Sequence, residues 1–271
     1  MQLLFIKKQF IQVLLLTFMI IFLAVGRSEA CSCDNDFIGI NNHFALSDYV
    51  VMALVLEAHD SPSAESKFHR IEIRPLEVYK GEPIRELKVW SNKGHGIISS
   101  CGISPGKDEY WLIYANEDEN GDYVFGWCSK TEQLTDKSYY FHEEKWVEND
   151  YTRLLKNLEF LKKYASDIQR RFYVVESGNA LNSFLENFDH VNFDRPFGQY
   201  RINFNQHFDI KSIQILSSLT KDFDSDLVDF LKEQTEWKPL YPFDPAGDFT
   251  HILGIYHYTD PRPFLSKYFF K

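Results

Sequence analysis

The period of the hydrophobic positions changes several times along this chain, and the changes divide it. Phe10–Val25 is a near-continuous apolar run interrupted only by Gln12 and Thr17. Asp48–Ala58 (DYVVMALVLEA) is again almost wholly apolar, and its β-branched content and length predict a strand. Phe68–Tyr79 alternates instead, through Phe68, Ile71, Ile73, Leu76 and Val78, which predicts a strand with a break at Pro75. Lys80-Gly81-Glu82-Pro83 then reads as a turn, and Leu87–Trp90 and Glu109–Ala115 as further strands. Asn120-Gly121-Asp122 is a hairpin signal leading into Tyr123–Trp127. Five short strands with turn residues between them and little helical periodicity predict a small barrel of antiparallel strands.

The texture then changes. Asn149-Asp150 can cap a helix running to about Ala165, with Leu154, Leu155, Leu158, Leu161 and Tyr164 on one face and Lys156, Lys162 and Lys163 on the other. Tyr173–Glu176 reads as a short strand and Asn179–Phe188 as a short helix. Gly198–Asn205 and Ile210–Leu219 are spaced as hairpin partners. Asp224–Gln234 is amphipathic, with Leu227, Phe230 and Leu231 on its inner face, and Phe249–Tyr258 is a closing strand. The expected class is mainly β plus α+β. A five-stranded barrel occupies residues 31–147, a linking helix 148–170, and a small two-layer α+β domain 171–271.

The opening run belongs to neither domain. Lys7 and Lys8 precede its apolar stretch, and Ser28-Glu29-Ala30 places small residues at −3 and −1 before Cys31, so residues 1–30 read as an export signal. This run of sixteen residues falls short of the roughly 20 that a spanning helix needs. Cleavage after Ala30 leaves Cys31 leading the mature chain; Ala24-Val25-Gly26 is a competing site. Ser28 and Glu29 do not supply the aliphatic and small residues that lipidation of Cys31 wants. The expectation is a secreted or periplasmic protein with no stable membrane span.

Without Lys7, Lys8, Arg27 and Glu29, the remainder carries 26 basic and 38 acidic residues, net −12. An acidic chain lacks the basic face that phosphate neutralisation requires, so no nucleic-acid partner is expected. In an oxidising compartment the four cysteines, Cys31, Cys33, Cys101 and Cys128, are expected to pair. A Cys31–Cys33 bond would strain a three-residue ring, which leaves two long pairings. Either staples the mature N-terminus to later segments, with roughly 4 kcal/mol from closing a 70-residue loop.

Catalytic signatures are missing. The nine histidines lack metal-ligand spacing, His142-Glu143-Glu144 lacks a second histidine, and there is no G-x-S-x-G, P-loop or dinucleotide fingerprint. Gly94-His95-Gly96 reads as a turn, and Glu117-Asp118-Glu119 as a solvated hairpin tip without the twelve-residue calcium pattern. No nucleophile, base and orienter assemble. No enzyme and no cofactor are expected.

The ordered set Cys31-Ser32-Cys33, Asp48-Tyr49-Val50-Val51, Glu77-Val78-Tyr79-Lys80-Gly81, Ser100-Cys101-Gly102, Gly106-Lys107-Asp108-Glu109-Tyr110-Trp111-Leu112-Ile113 and Cys128 resembles the N-terminal domain of the tissue inhibitors of metalloproteinases. That domain is a netrin-like module with an OB-fold barrel, and the resemblance covers about residues 31–130. It implies disulfides Cys31–Cys101 and Cys33–Cys128. It also implies that the α-amine and carbonyl of Cys31 chelate the zinc of a target protease in trans. A catalytic zinc keeps one position for water, which such a chelate displaces. Ser32 would enter the specificity pocket, with Ser99 and Ser100 beside it.

The same module also occurs where the C-x-C only staples a barrel, and the C-terminal half has no cysteine. The alternative is therefore a non-catalytic envelope module that docks protein partners. Gly198-Gln199-Tyr200-Arg201-Ile202-Asn203-Phe204, Ile213-Gln214-Ile215-Leu216, Asp226-Leu227-Val228 and Trp237-Lys238-Pro239 are similar to the TonB C-terminal domain. This likeness implies that residues 171–271 grip an envelope or outer-membrane protein by strand addition, in a Gram-negative envelope or secreted setting.

Overall fold

The computed structural model describes residues 39–63, 65–91, 102–134, 150–168, 174–176, 179–239, 245, 247–259 and 263–267. Six strands make the first sheet: β1 (Tyr49–Ala58), β2 (Phe68–Lys80), β3 (Glu86–Trp90), β4 (Tyr110–Glu117), β5 (Tyr123–Phe125) and β6 (Glu132–Leu134). Their order is β1-β2-β3-β5-β4, and β1 also pairs with β4, so five strands close into an OB-fold barrel with β6 appended to β4.

One expectation is corrected here: the strands are not all antiparallel, because β3 and β5 run parallel. The reason is topological. Directions cannot alternate all the way round a closed ring with an odd number of strands.

The two hydrophobic textures of the barrel strands have different causes. In β1, Tyr49, Val51, Ala53 and Val55 fill the barrel while Val50 and Met52 pack outward. In β4, Trp111, Ile113 and Ala115 point inward while Leu112 and Tyr114 point outward. Both strands are covered on two faces, so both read as continuous apolar runs. β2 is covered mainly inside, so Ile71 and Ile73 are buried while Arg70, Glu72 and Arg74 are exposed.

Two further readings are corrected. β2 runs straight through Pro75. Its pairing with β3 ends at Glu72, and the β1 ladder shifts register between Met52 and Ala53, so no regular ladder demands an N–H there. The strand expected over Tyr123–Trp127 stops at Phe125 and passes into a 3₁₀ turn at Trp127–Ser129, where Ser129 Oγ accepts from Gly126 N (2.9 Å).

The second sheet contains β8 (Phe197–Phe204), β9 (Ile210–Ser217), β11 (Phe249–Tyr258) and β12 (Phe264–Ser266), in the order β12-β11-β8-β9. A separate two-stranded ladder joins β7 (Val174–Glu176) to β10 (Trp237–Pro239). Helices α3 (Ala180–Glu186) and α4 (Lys221–Gln234) cover one face of the larger sheet through Leu181, Leu185, Leu227 and Leu231. α4 starts three residues before the expected Asp224, because Thr220 caps it by accepting from Phe223 N at 3.3 Å.

The opposite face of that sheet is also covered. Helices α1 (Ile40–Leu46) and α2 (Asp150–Lys162) lie in one hydrophobic cluster with Val50, Leu112 and Tyr114 of the barrel and Phe197, Ile252, Tyr256 and Tyr258 of the second sheet. Barrel and second sheet thus belong to one compact unit. The helix expected as a link is filling between the two sheets. Among the described residues no helix is long and apolar enough to cross a membrane.

Candidate functional site

Where α2 leaves the barrel surface, a groove of about 950 Å³ opens. Met52 of β1 and Leu76, Glu77 and Tyr79 of β2 form one wall; Leu155, Lys156, Glu159, Phe160 and Lys163 of and just beyond α2 form the other. Phe197 of β8 and Ser217 of β9 close the end. The placement follows from helical period. Leu154, Leu158 and Leu161 turn inward and are buried, which leaves Leu155 and Phe160 half-buried on the flank that faces β2. Among the described residues Leu76 remains 38% exposed.

The rim is charged on both sides. Lys162 ion-pairs with Glu77, and this contact raises the lysine pKa against a small opposing effect of burial. Lys156, Lys163 and Glu159 complete the rim and are exposed. An apolar floor with mixed-charge edges can take an apolar side chain or a short extended segment.

The groove adjoins a strand edge. β9 pairs only with β8 among the described residues, and it is eight residues long. Natural edges are usually shortened, bulged or charged to prevent pairing. β9 is bulged near both ends, at Lys211 and Leu216, and carries one charged residue, Lys211, held by Asp248; between the bulges it has no charge and exposes Ile215 at 44%. Its last residue, Ser217, already lines the groove.

Behind the groove, four uncharged polar side chains from four elements share a buried network. Asn41 of α1 donates from Nδ2 to Gln199 Oε1 (2.7 Å) and to the Ile252 carbonyl (3.1 Å). Tyr256 donates its hydroxyl to Asn41 Oδ1 (2.7 Å). Asn157 of α2 donates to Asn41 Oδ1 (3.1 Å) and to the Tyr256 hydroxyl (3.2 Å), and accepts from Gln199 Nε2 (2.5 Å). Burial pushes the Tyr256 phenol well above its ordinary pKa, so it stays a donor. Gly254 makes room: a Cβ there would lie 2.6 Å from the Tyr256 hydroxyl and 2.9 Å from Asn41 Nδ2.

Of the predicted site residues, Cys31, Ser32, Cys33, Ser99, Ser100 and Cys101 lie outside the described residues, as do Gly94-His95-Gly96 and His142-Glu143-Glu144. Cys128 is exposed in the 3₁₀ turn after β5 and is disulfide-bonded; the cysteine it joins lies outside the described residues.

No family model matches this chain. None of the curated proteins matches it either. The meaning of the quoted motifs therefore rests on what their residues do.

Most of them hold the fold. Lys80 donates to the Phe44 and Ala45 carbonyls (2.9 and 3.0 Å) at the C-terminal end of α1. Gly81 has φ 84°, and a Cβ there would sit 2.9 Å from the Asp48 carbonyl oxygen. Glu109 accepts from Gly106 N (2.7 Å) and Trp111 Nε1 (2.9 Å). In the second sheet, Tyr200 donates to Asp224 Oδ1 (2.6 Å), which also accepts from Leu219 N (3.2 Å) and so ties β8 to the start of α4. Asp118 at the hairpin tip accepts from Asn120 N and Asp122 N (2.9 and 3.0 Å) and pairs with Lys88. Its carboxylate closes the turn.

Sequence reasoning missed the groove because its walls come from distant segments. One local signal pointed toward it: Asn157 sits among Leu154, Leu158 and Leu161 on the apolar face of α2, where a polar residue needs buried partners.

Proposed function

We propose that this chain is an exported, non-catalytic docking module that captures an extended segment of a protein partner. The partner adds a strand along β9 and delivers an apolar side chain into the groove at Ser217. The observation that carries this reading is the continuity of the β9 edge, whose stretch from Ser212 to Ile215 is free of bulges and of charge, with an apolar groove. The resemblance of residues 171–271 to the TonB C-terminal domain supports it and points to an envelope or outer-membrane protein as the partner.

The test uses the whole mature chain, since residues 171–271 alone would uncover Phe197, Ile252, Tyr256 and Tyr258. Peptides selected on the chain from a random extended library should lose binding with Leu76→Glu and with Ile215→Lys, and keep it with Trp90→Ser. Selected peptides that ignore both changes would refute strand capture at this edge.

A second reading rests on a different observation, a closed OB-fold barrel whose Cys128 is disulfide-bonded. With pairings Cys31–Cys101 and Cys33–Cys128, the Cys31 amine and carbonyl would be held rigidly enough to chelate a metalloprotease zinc, and little entropy would be lost on docking. An α-amine titrates near 8, so a useful fraction is neutral at pH 7. Mature protein should begin at Cys31, and one alanine added before it should abolish inhibition of zinc endopeptidases. Equal inhibition by the extended chain would sink chelation.

A further inference from the structure

We propose that Glu57, His59 and Glu72 on the outer wall of the barrel form a site for one divalent transition-metal ion, Zn²⁺ being the best match. The site is separate from the groove, and it does not depend on either functional reading.

Its origin lies in the strand register. Val55 pairs with Ile73, yet Glu57 pairs with Glu72, so β1 carries one extra residue between these pairs. Continued alternation from Val51, Ala53 and Val55 would aim position 57 into the barrel. The bulge reverses the phase: Ala58 now packs against the barrel core, and Glu57 turns outward opposite Glu72. His59 follows two residues later on the same face, and its backbone N–H donates to the Arg70 carbonyl (2.9 Å), extending the ladder past the end of β1. All three ligand-bearing residues therefore stand on hydrogen-bonded backbone.

The chemistry of the donor set narrows the ion. One ligand atom from each residue lies within 4.8 Å of the other two, and His59 Nε2 is 3.4 Å from Glu72 Oε1. Tetrahedral zinc with ligands near 2.0–2.1 Å places neighbouring donors about 3.3 Å apart, so that edge is already at coordination spacing. The Glu57 carboxylate sits 3.9 Å from the other imidazole nitrogen, Nδ1, and with 63% of its side chain exposed it has to swing round the ring toward Nε2 to close the third position. An imidazole with two carboxylates suits Zn²⁺, whereas calcium wants six to eight oxygens and magnesium a hydrated octahedron. Three protein ligands leave a fourth position for water or for a donor from another molecule.

The experiment is calorimetric titration of the whole mature chain with Zn²⁺, repeated with Ca²⁺. One saturable equivalent of zinc is expected, weakened at least tenfold by His59→Gln and by Glu72→Gln. Glu233→Gln on exposed α4 should leave it unchanged, and matching melting curves would show that the variants fold. Three results would overturn the site: no saturable zinc binding, equal binding by the folded His59→Gln chain, or calcium binding as tight as zinc. The last two would mean diffuse attraction to an acidic surface.

Discussion

The barrel interior and the junction behind it are both fully buried, yet they are built from different materials. Inside the barrel, the cluster from Tyr49 to Phe125 is supplied by strands of one sheet apart from Ile103, and His69 is the buried polar residue on the same face of β2 as Ile71 and Ile73. The junction draws on α1, α2, β1, β4, β8 and β11, and it encloses Asn41, Asn157 and Gln199 besides its apolar residues. A closed barrel needs no further instruction, because ladder hydrogen bonds already fix its register. Two separately hydrogen-bonded sheets could pack in several offsets through apolar contact alone. Asn41, which bonds partners on α2, β8 and β11, accepts only one.

The largest predicted effect probes the packing of that junction. Leu158, fully buried there, should cost about 2–5 kcal/mol as alanine, read by urea unfolding. Asn157→Leu keeps the branched shape but leaves Gln199 Nε2 without its acceptor, while Asn41 Oδ1 keeps the Tyr256 hydroxyl. It should cost about 1–3 kcal/mol for the group so orphaned. A neutral result for Asn157→Leu would show that the network contributes nothing to the choice of packing.

Acid should discriminate next. Burial holds both His43, at the junction, and His251, on the far face of the second sheet, down to about 4, with Lys130 adding to the effect at His43. The unfolded chain takes up these protons below about 6.5, so the stability they carry is complete above that pH. It is lost as pH falls toward 4, by about 1.4 kcal/mol per unit for each histidine. Urea midpoints at pH 7, 6 and 5 should fall accordingly, and a double His43→Leu, His251→Leu variant that folds should flatten the slope. A wild-type slope indistinguishable from that variant's would contradict burial of neutral histidines.

The smallest effect is expected at the surface. Lys211 and Asp248 are more than half exposed, and Lys211→Ala should change stability by no more than about 1 kcal/mol. It does strip β9 of its one charge, so it should strengthen rather than weaken strand capture in the peptide assay.

Much of the architecture was legible in the chain because it follows from local rules. The apolar run of β1, the hairpin of β8 and β9, and the capped amphipathic α4 each carry their signal within a dozen residues. What was not legible depends on partners far away. β6 and β12 are three residues each, too short for any period to show. α1 reads INNHFAL, a poor helix on propensity; its Asn41 is explained only by Gln199 and Tyr256, 158 and 215 positions later. The groove likewise needs Met52, Leu76, Leu155 and Ser217 to meet, and no window of sequence contains them.

The separation of Asn41 and Tyr256 also bears on how the protein is made. The first described helix is completed by a hydroxyl from β11, so Tyr256 must be synthesised before that helix finds its place. A nascent chain stopped short of β11 would hold its barrel strands and α2 with their outward apolar side chains still wet. The junction can close only after β11 has been added.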